Sequence, residues 1–323
     1  MRVALLGVSH WHAQMHLDAV LSSGGEVIAV WDWNADSGGT FAAIHGLSNC
    51  RSIEQALAAR PDLVVLMGSP PNVLEVTLKA MAADVPIILE KPASSTSDGL
   101  APIVAEALGR GSFIAAPLPN RFGPILREMA ELERQGRLGK LAHAHFRIVN
   151  GPPQRYRADS VGWMLDPAVS GGGALRNLGI HGVDAALTLA QGALRVVSAL
   201  IGNRIHHECV EDHAHITLLD EAGTLFTVEA GYTYASMAPG GDFEWRVATS
   251  NAYLIDRGNS AQCATLDDGV VRALSPEPPG TRYRLFMADT FDRLRAGAAP
   301  TIGIQDYHSA MQLIETAYEK ASS

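Results

Sequence analysis

Apolar residues in the first third of the chain fall into short unbroken runs, separated by stretches in which they recur every three or four positions. Unbroken runs read as strands buried on both faces, and the spaced stretches as amphipathic helices. Residues 2–6 make the first run, which ends at Gly7. A helix follows, with Leu17, Val20 and Leu21 on one face and a stop at Gly24 and Gly25. EVIAVWD is a second strand ending in Asp32, helices are expected around 36–45 and 52–59, and DLVVLMG is a third strand. The pattern repeats as helix 72–83, strand VPIILE, helix 97–109 and strand SFIAA. Strands alternating with helices predict a parallel sheet covered on both faces, an α/β Rossmann domain over residues 1–119.

From residue 141 onward strands outnumber helices. LAHAHFRIV alternates, setting His143, His145 and Arg147 opposite Ala144, Phe146 and Ile148. VVSALIG, HAHITLLD, TLFTVEAGYTYA, FEWRVATS and AYLIDRG follow, joined by turn signals such as Glu-Ala-Gly at 221–223. Residues 120–323 are thus expected to form a substrate-binding α+β domain with a mainly antiparallel, open-faced sheet. The C-terminal helix is expected to pack back on the first domain, and an apolar row on the open face would signal self-association.

Length and composition narrow the class. A chain of 323 residues suits two domains, and 47% hydrophobic with 18% charged residues suits a globular protein. The net charge of -9 disfavours a nucleic-acid partner. No window approaches a membrane span, and residues 1–6 open straight into an apolar strand with no leader-like segment. Cys50, Cys209 and Cys263 lie far apart without metal-type spacing, which points to a reducing, cytoplasmic setting.

The first turn carries chemistry. A dinucleotide fingerprint G-x-G-x-x-G brings bare backbone to a pyrophosphate at a helix N-terminus. Here the turn reads GVSHWH: Gly7 is kept, while Ser9 and His12 take the other glycine positions. Asp32 stands where an acid binds ribose hydroxyls, against the plainer role of a strand-end cap. His10, His12 and His16 invite a metal reading, but no acid lies in the loop, so surface histidines are the favoured reading and no metal is expected. His206, His207, Cys209, His213 and His215 are dense but lack a nameable ligand set.

The segment ILEKP at 88–92, after such a start, resembles the Gfo/Idh/MocA oxidoreductases. NRFGP at 120–124, RLGKL at 137–141, WMLDPAVSGGGALRNLGIHGVD at 163–184 and the C-terminal FDRLRAGAAPTIGIQDYHSAMQLIETAYEKA agree with it. The chain departs from that pattern at Ser9 and His12, at Leu74 where a His is frequent, and at Asn177 where an Asp is frequent. The resemblance implies an NAD-dependent oxidoreductase acting on a sugar, polyol or related hydroxy compound, assembled as a homodimer or homotetramer, with a cis bond before Pro92. Two other readings stay open: a glycoside hydrolase that oxidises its sugar transiently, and a non-catalytic NAD-binding protein.

Catalysis is assigned to Lys91, to polarise the substrate oxygen, and to His181, as base, with Asn177 beside it. Asn177, His181, Asp184 and Thr188 fall on one stripe of a helix expected from about 174 to 191. Cofactor contacts are assigned to Gly7, Ser9, His10, Trp11, Asp32, Ser69, Asn72, Glu90 and Lys91, and substrate contacts to Asn120, Arg157, Trp163 and Asp184. For Trp163 plain core is an equal reading, for Arg157 a solvated loop, and for Asp184 a pairing with an arginine. Asp32 without a neighbouring basic residue favours NAD over NADP.

Overall fold

A computed structural model describes residues 1–322. The first stretch alternates as expected: β1 (Arg2–Leu6), α1 (Ala13–Ser22), β2 (Glu26–Trp31), α2 (Ala35–His45), α3 (Ile53–Ala58), β3 (Leu63–Leu66), α4 (Pro70–Ala82), β4 (Ile87–Leu89), α5 (Ser97–Arg110) and β5 (Ile114–Ala115). The strands form a sheet of order β2-β1-β3-β4-β5, parallel throughout. Every residue of β3 and β4 is fully buried, which is why these segments read as unbroken apolar runs. Each such Val, Leu or Ile contributes roughly 1.5–3 kcal/mol by leaving water. Leu21 is the exception to the expected apolar face of α1, since it is 53% exposed. The helices begin and end at local signals. Asn34 accepts the Asp36 and Ser37 amides at the start of α2, Thr96 accepts the Gly99 amide at the start of α5, and left-handed Gly46 and Gly111 end them.

The chain continues through α6 (Pro124–Arg134), β6 (Leu141–Asn150), α7 (Gln154–Ala158), α8 (Pro167–Ser170), α9 (Ile180–Leu189), β7 (Arg195–Gly202), β8 (His213–Leu219), β9 (Leu225–Gly231), β10 (Gly241–Thr249), β11 (Ala252–Asp256), β12 (Ala261–Thr265), β13 (Val271–Leu274), α10 (Pro279–Ala296) and α11 (Ile304–Ala321). The eight strands make a sheet of order β13-β12-β11-β10-β6-β9-β8-β7, antiparallel except for the β6/β9 pair. The last two strands extend the edge beyond the five that follow β6 in the pattern. One face carries Ala144, Phe146, Ile216, Val228, Trp245 and Val247, all buried. The opposite face is mixed rather than an apolar row: His143, His145, Arg147, His215 and Glu229 stand among Leu200, Leu225 and Tyr253.

Two compact units share the chain, but not with one boundary at 119/120. The first comprises Met1–Pro117, Tyr156–Gly171 and Tyr283–His308; the second comprises Leu118–Arg155, Gly172–Arg282 and, among the described residues, 309–322. Within the first unit, the returning segments are pinned by Ala116 N to Ile302 O at 2.9 Å and by Ala93 N to the Tyr307 hydroxyl at 3.2 Å. Hydrophobic periodicity marks elements and says nothing of which sheet a later segment revisits, so a single cut was the natural expectation.

Candidate active site

In the first unit the turn after β1 is built around Gly7. Its φ is +82°, and a Cβ there would come within 1.7 Å of the Met67 carbonyl oxygen, so only glycine fits. The indole of Trp33 closes over the same place, because a Cβ on Gly7 or Gly68 would meet its ring at 2.7 or 2.8 Å. Asp32 sits at the end of β2, 6% exposed, and both carboxylate oxygens accept backbone amides at 2.7 Å, from Ser9 and from Asn34. Ser9 itself is exposed, and no side chain caps the N-terminus of α1 among the described residues. A glycine turn with no room for a side chain, a small exposed residue and a strand-end acid fit a dinucleotide pyrophosphate and ribose. Ser69 precedes α4, and Asn72, exposed, donates from Nδ2 to its hydroxyl at 3.1 Å.

His12 takes a glycine position of the fingerprint in this turn. Its ring points to Glu90, with Nδ1 2.7 Å from Oε1. His16 Nε2 lies 3.1 Å from the same oxygen, and the Tyr283 hydroxyl donates to it at 3.1 Å. The other oxygen of Glu90 accepts the Lys91 amide at 2.7 Å. Glu90 is 1% exposed, so its carboxylate meets this network and not solvent. The acid missing from the loop is therefore supplied from the end of β4, which corrects the ground on which a metal was dismissed. One ligand atom each of His10, His12 and Glu90 lies within 4.8 Å of the others. Burial pushes the His10 and His12 imidazoles below their usual range, toward the neutral form. Glu90 is held well below the usual carboxylate range: burial opposes ionisation, but the field of His12 and the bonds from His12 and His16 outweigh it.

Lys91 follows, 3% exposed, and the bond to Pro92 is cis as the resemblance implied. Burial draws its ammonium down from 10.5 to about 8, with Glu90 opposing. Lysine at the carboxyl end of a parallel strand, poised near neutral pH, can both stabilise an oxyanion and exchange a proton. Trp11 gathers an aromatic group in the same unit. It stacks on His10 at 3.8 Å between centroids and lies 6.0 Å from Trp163 and 6.3 Å from Tyr156. Trp163 is half-buried and Arg157 exposed.

In the second unit the helix expected over 174–191 opens with one π turn, Leu175–Gly179, and continues as α9. The wider turn belongs to a segment held from outside: buried Glu211 accepts the Gly173 and Leu175 amides at 2.8 Å each, and Tyr318 donates to it at 2.8 Å. Burial raises the Glu211 carboxyl against these bonds. Asn177 is 2% exposed and donates from Nδ2 to the Tyr232 hydroxyl at 3.1 Å. His181, one turn on, is partly exposed, and Asp184 is 1% exposed. The stripe is thus largely buried, and only Thr188 of the four is exposed. Asp184 takes the fork of Arg121, with Nε to Oδ2 at 2.7 Å and Nη2 to Oδ1 at 2.5 Å, the arginine pairing that its sequence left open. Asn120 accepts from Arg282 at 2.9 Å, and Arg282 also donates to Asp256 at 2.5 Å.

Tyr283, Arg121, Tyr232 and Glu211 were not foreseen. Each meets its partner across dozens to nearly two hundred positions (Tyr283 and Glu90 are 193 apart), and no local pattern announces such a contact.

Residues 1–115 match the model for the oxidoreductase family with an NAD-binding Rossmann fold, and residues 126–255 match that for the GFO/IDH/MocA C-terminal domain. Among curated proteins, 1,5-anhydro-D-fructose reductase of Ensifer adhaerens is 27% identical over 186 residues, 57% of this chain and 54% of the relative. D-glucoside 3-dehydrogenase of Escherichia coli (strain K12) is 26% identical over 205 residues, 62% of this chain and 57% of the relative. The chain therefore spans about half the length of the curated relatives it matches. The solved WlbA dehydrogenase from Bordetella pertussis, in complex with NADH and UDP-GlcNAcA, superposes with a TM-score of 0.82 at 18% identity, covering 100% of this chain and 95% of that one. The parallel sheet with its glycine turn, the mixed eight-stranded sheet and the two model matches agree: the chain belongs to the GFO/IDH/MocA oxidoreductase family.

Proposed function

We propose that the protein is an NAD-dependent dehydrogenase or reductase that moves a hydride between nicotinamide and a hydroxyl-bearing or carbonyl carbon of a sugar, polyol or related compound. The observation that carries this reading is Lys91, buried at the carboxyl end of β4 with its ammonium drawn to about 8. The two curated relatives, named for 1,5-anhydro-D-fructose and for D-glucosides, support the sugar class.

A bound nicotinamide dinucleotide supplies the hydride acceptor or donor. Gly7, Ser9, His10 and Trp11 form the turn that would face its phosphates, Ser69 and Asn72 lie at the turn after β3, and Asp32 would receive ribose hydroxyls on the lone pairs left by its two amide bonds. Residues 33–38 contain no basic group to neutralise a 2′-phosphate, which supports NAD over NADP. Lys91 stabilises the alkoxide that develops on the substrate, and His181 takes or returns the hydroxyl proton. Asn177, fixed by Tyr232, orients the turn that bears His181. Glu90 acts through position, gripping the Lys91 amide. Trp163, Arg157 and Asn120 are assigned to the substrate, and so is Asp184 through Arg121, which it orders. The open sheet face, with Leu200, Leu225 and Tyr253 among charged residues, is assigned to a homodimer or homotetramer.

The test is a panel of polyols, sugars and sugar acids incubated with NAD or NADP and followed by NADH absorbance. Stoichiometric NADH release with one class, abolished in Lys91→Ala, is the expected result. Bond cleavage of a glycoside without net NADH release would replace this reading with the hydrolase, and dinucleotide binding with no turnover across the panel would replace it with the non-catalytic one.

A further inference from the structure

We propose that His10, His12 and Glu90 form a binding site for one divalent first-row transition ion such as Zn2+, tying the turn after β1 to the end of β4. One ligand atom from each residue already lies within 4.8 Å of the other two. Two imidazoles with one carboxylate is a ligand set that zinc and its neighbours accept, and three protein ligands leave a position for water or substrate oxygen. All the groups belong to the first unit.

A second observation points to a missing partner. His10 Nε2 and His16 Nδ1 are buried and have no hydrogen-bond partner among the described residues, although His10 is 5% exposed and His16 fully buried. His10 Nδ1 accepts the amide of His12, two residues on, at 3.1 Å, so ligation through either ring nitrogen gives up this one bond: Nδ1 directly, or Nε2 by moving its proton to Nδ1. A buried polar atom without a partner costs about 1–3 kcal/mol, and two of them in one ring of histidines call for a ligand. Glu90 has the support that ligating carboxylates usually show: His16 and Tyr283 both bond to Oε1, and the Lys91 amide bonds to Oε2. These outer groups would orient the carboxylate toward the ion. The dense histidines at 206–215 show no comparable grouping; there His206 Nε2 is engaged by the Tyr232 carbonyl at 3.0 Å.

The site is independent of the dehydrogenase reading, because metal binding is measured without cofactor or substrate. The experiment uses the full chain, stripped with EDTA and dialysed. Co2+ is titrated in and followed by its visible absorption, Zn2+ is titrated against a chromophoric chelator, and the zinc-loaded protein is examined by X-ray absorption. Expected are about one equivalent bound per chain and a nitrogen/oxygen shell with about 2.0–2.1 Å Zn–N distances and imidazole scattering. His10→Gln and Glu90→Gln should each weaken binding by about tenfold or more, whereas His213→Ala should leave it unchanged. Circular dichroism of each variant separates a lost site from a lost fold. The absence of stoichiometric binding by the parent chain overturns the proposal without any variant. Binding that survives in folded His10→Gln and Glu90→Gln, or that is lost in His213→Ala, overturns it as well.

Discussion

Asp184 offers the sharpest test of how the second unit is held, and of whether that residue belongs to substrate or to the scaffold. Its side chain is 1% exposed and that of Arg121 11%, and two fork bonds of 2.5 and 2.7 Å join them. At about 4 Å between charge centres and an effective dielectric near 20, the attraction is on the order of 4 kcal/mol. Removing one partner leaves the other charge buried and costs roughly 3–5 kcal/mol. Asp184→Asn keeps one acceptor oxygen but turns an amide N–H toward a guanidinium N–H, so the lower end, about 3 kcal/mol, is expected. At roughly 2–4 °C per kcal/mol for a unit of this size, the melting temperature falls by about 6–12 °C. The assay is urea unfolding by circular dichroism on Asp184→Asn, Arg121→Met and the double variant. The double variant should lose less than the two singles together, with a coupling of about 2 kcal/mol or more. A loss below about 1 kcal/mol in Asp184→Asn, or a coupling near zero, refutes the structural role. If the fold is unharmed while KM alone rises, Asp184 contacts substrate directly.

Lys91 should make the folded state less stable than it need be. Its ammonium titrates near 8 when buried and near 10.5 when unfolded, so below pH 8 the buried charge carries its full cost, and stability rises as pH climbs from 8 toward 10.5. Lys91→Met, in chelator-treated protein, should gain up to about 3 kcal/mol at pH 7, and that advantage should shrink by pH 10; urea melts at both pH values check this, and no gain at pH 7 counts against it. Asp32→Ala should bring the affinities for NAD and NADP together in cofactor titrations, and tighter NADP binding by the parent chain would sink the NAD assignment. Asn177→Asp should shift the acid limb of alcohol oxidation to higher pH by roughly half to one and a half units, since a carboxylate favours the His181 imidazolium; an unmoved limb that vanishes in His181→Ala would leave His181 as base without Asn177 as its partner. Light scattering should give a dimer or tetramer at micromolar protein, and a sole 34.3 kDa species would refute it.

What was legible in the sequence was whatever hydrophobic period and chain neighbours determine. The parallel sheet, the strand-end position of Asp32, and Lys91 after a buried run all follow from short local patterns. The alternation of β6 likewise placed Ala144, Phe146 and Ile148 inside. What escaped depends on contacts distant in sequence. Glu90 was assigned to the cofactor from its place after β4, and the histidines and Tyr283 that hold it lie 74 to 193 positions away, beyond any local pattern. Asn177 and Asp184 were placed on a polar stripe, but Tyr232 and Arg121 draw them inward. The π turn escaped as well, since it depends on Glu211 accepting amides from the glycine segment.

The interleaving of the two units sets the order in which the protein can assemble during synthesis. The sheet of the first unit is complete at Pro117, yet that unit also needs residues through His308, about 190 residues and roughly 10–40 s later at ordinary elongation rates. Until then the nascent chain exposes the surfaces later covered by Ile302 and Tyr307, which are 1% exposed in the finished fold. A stalled or truncated chain therefore presents a finished sheet with an unfinished coat, a natural substrate for chaperones, and neither unit can be excised by cutting the gene once.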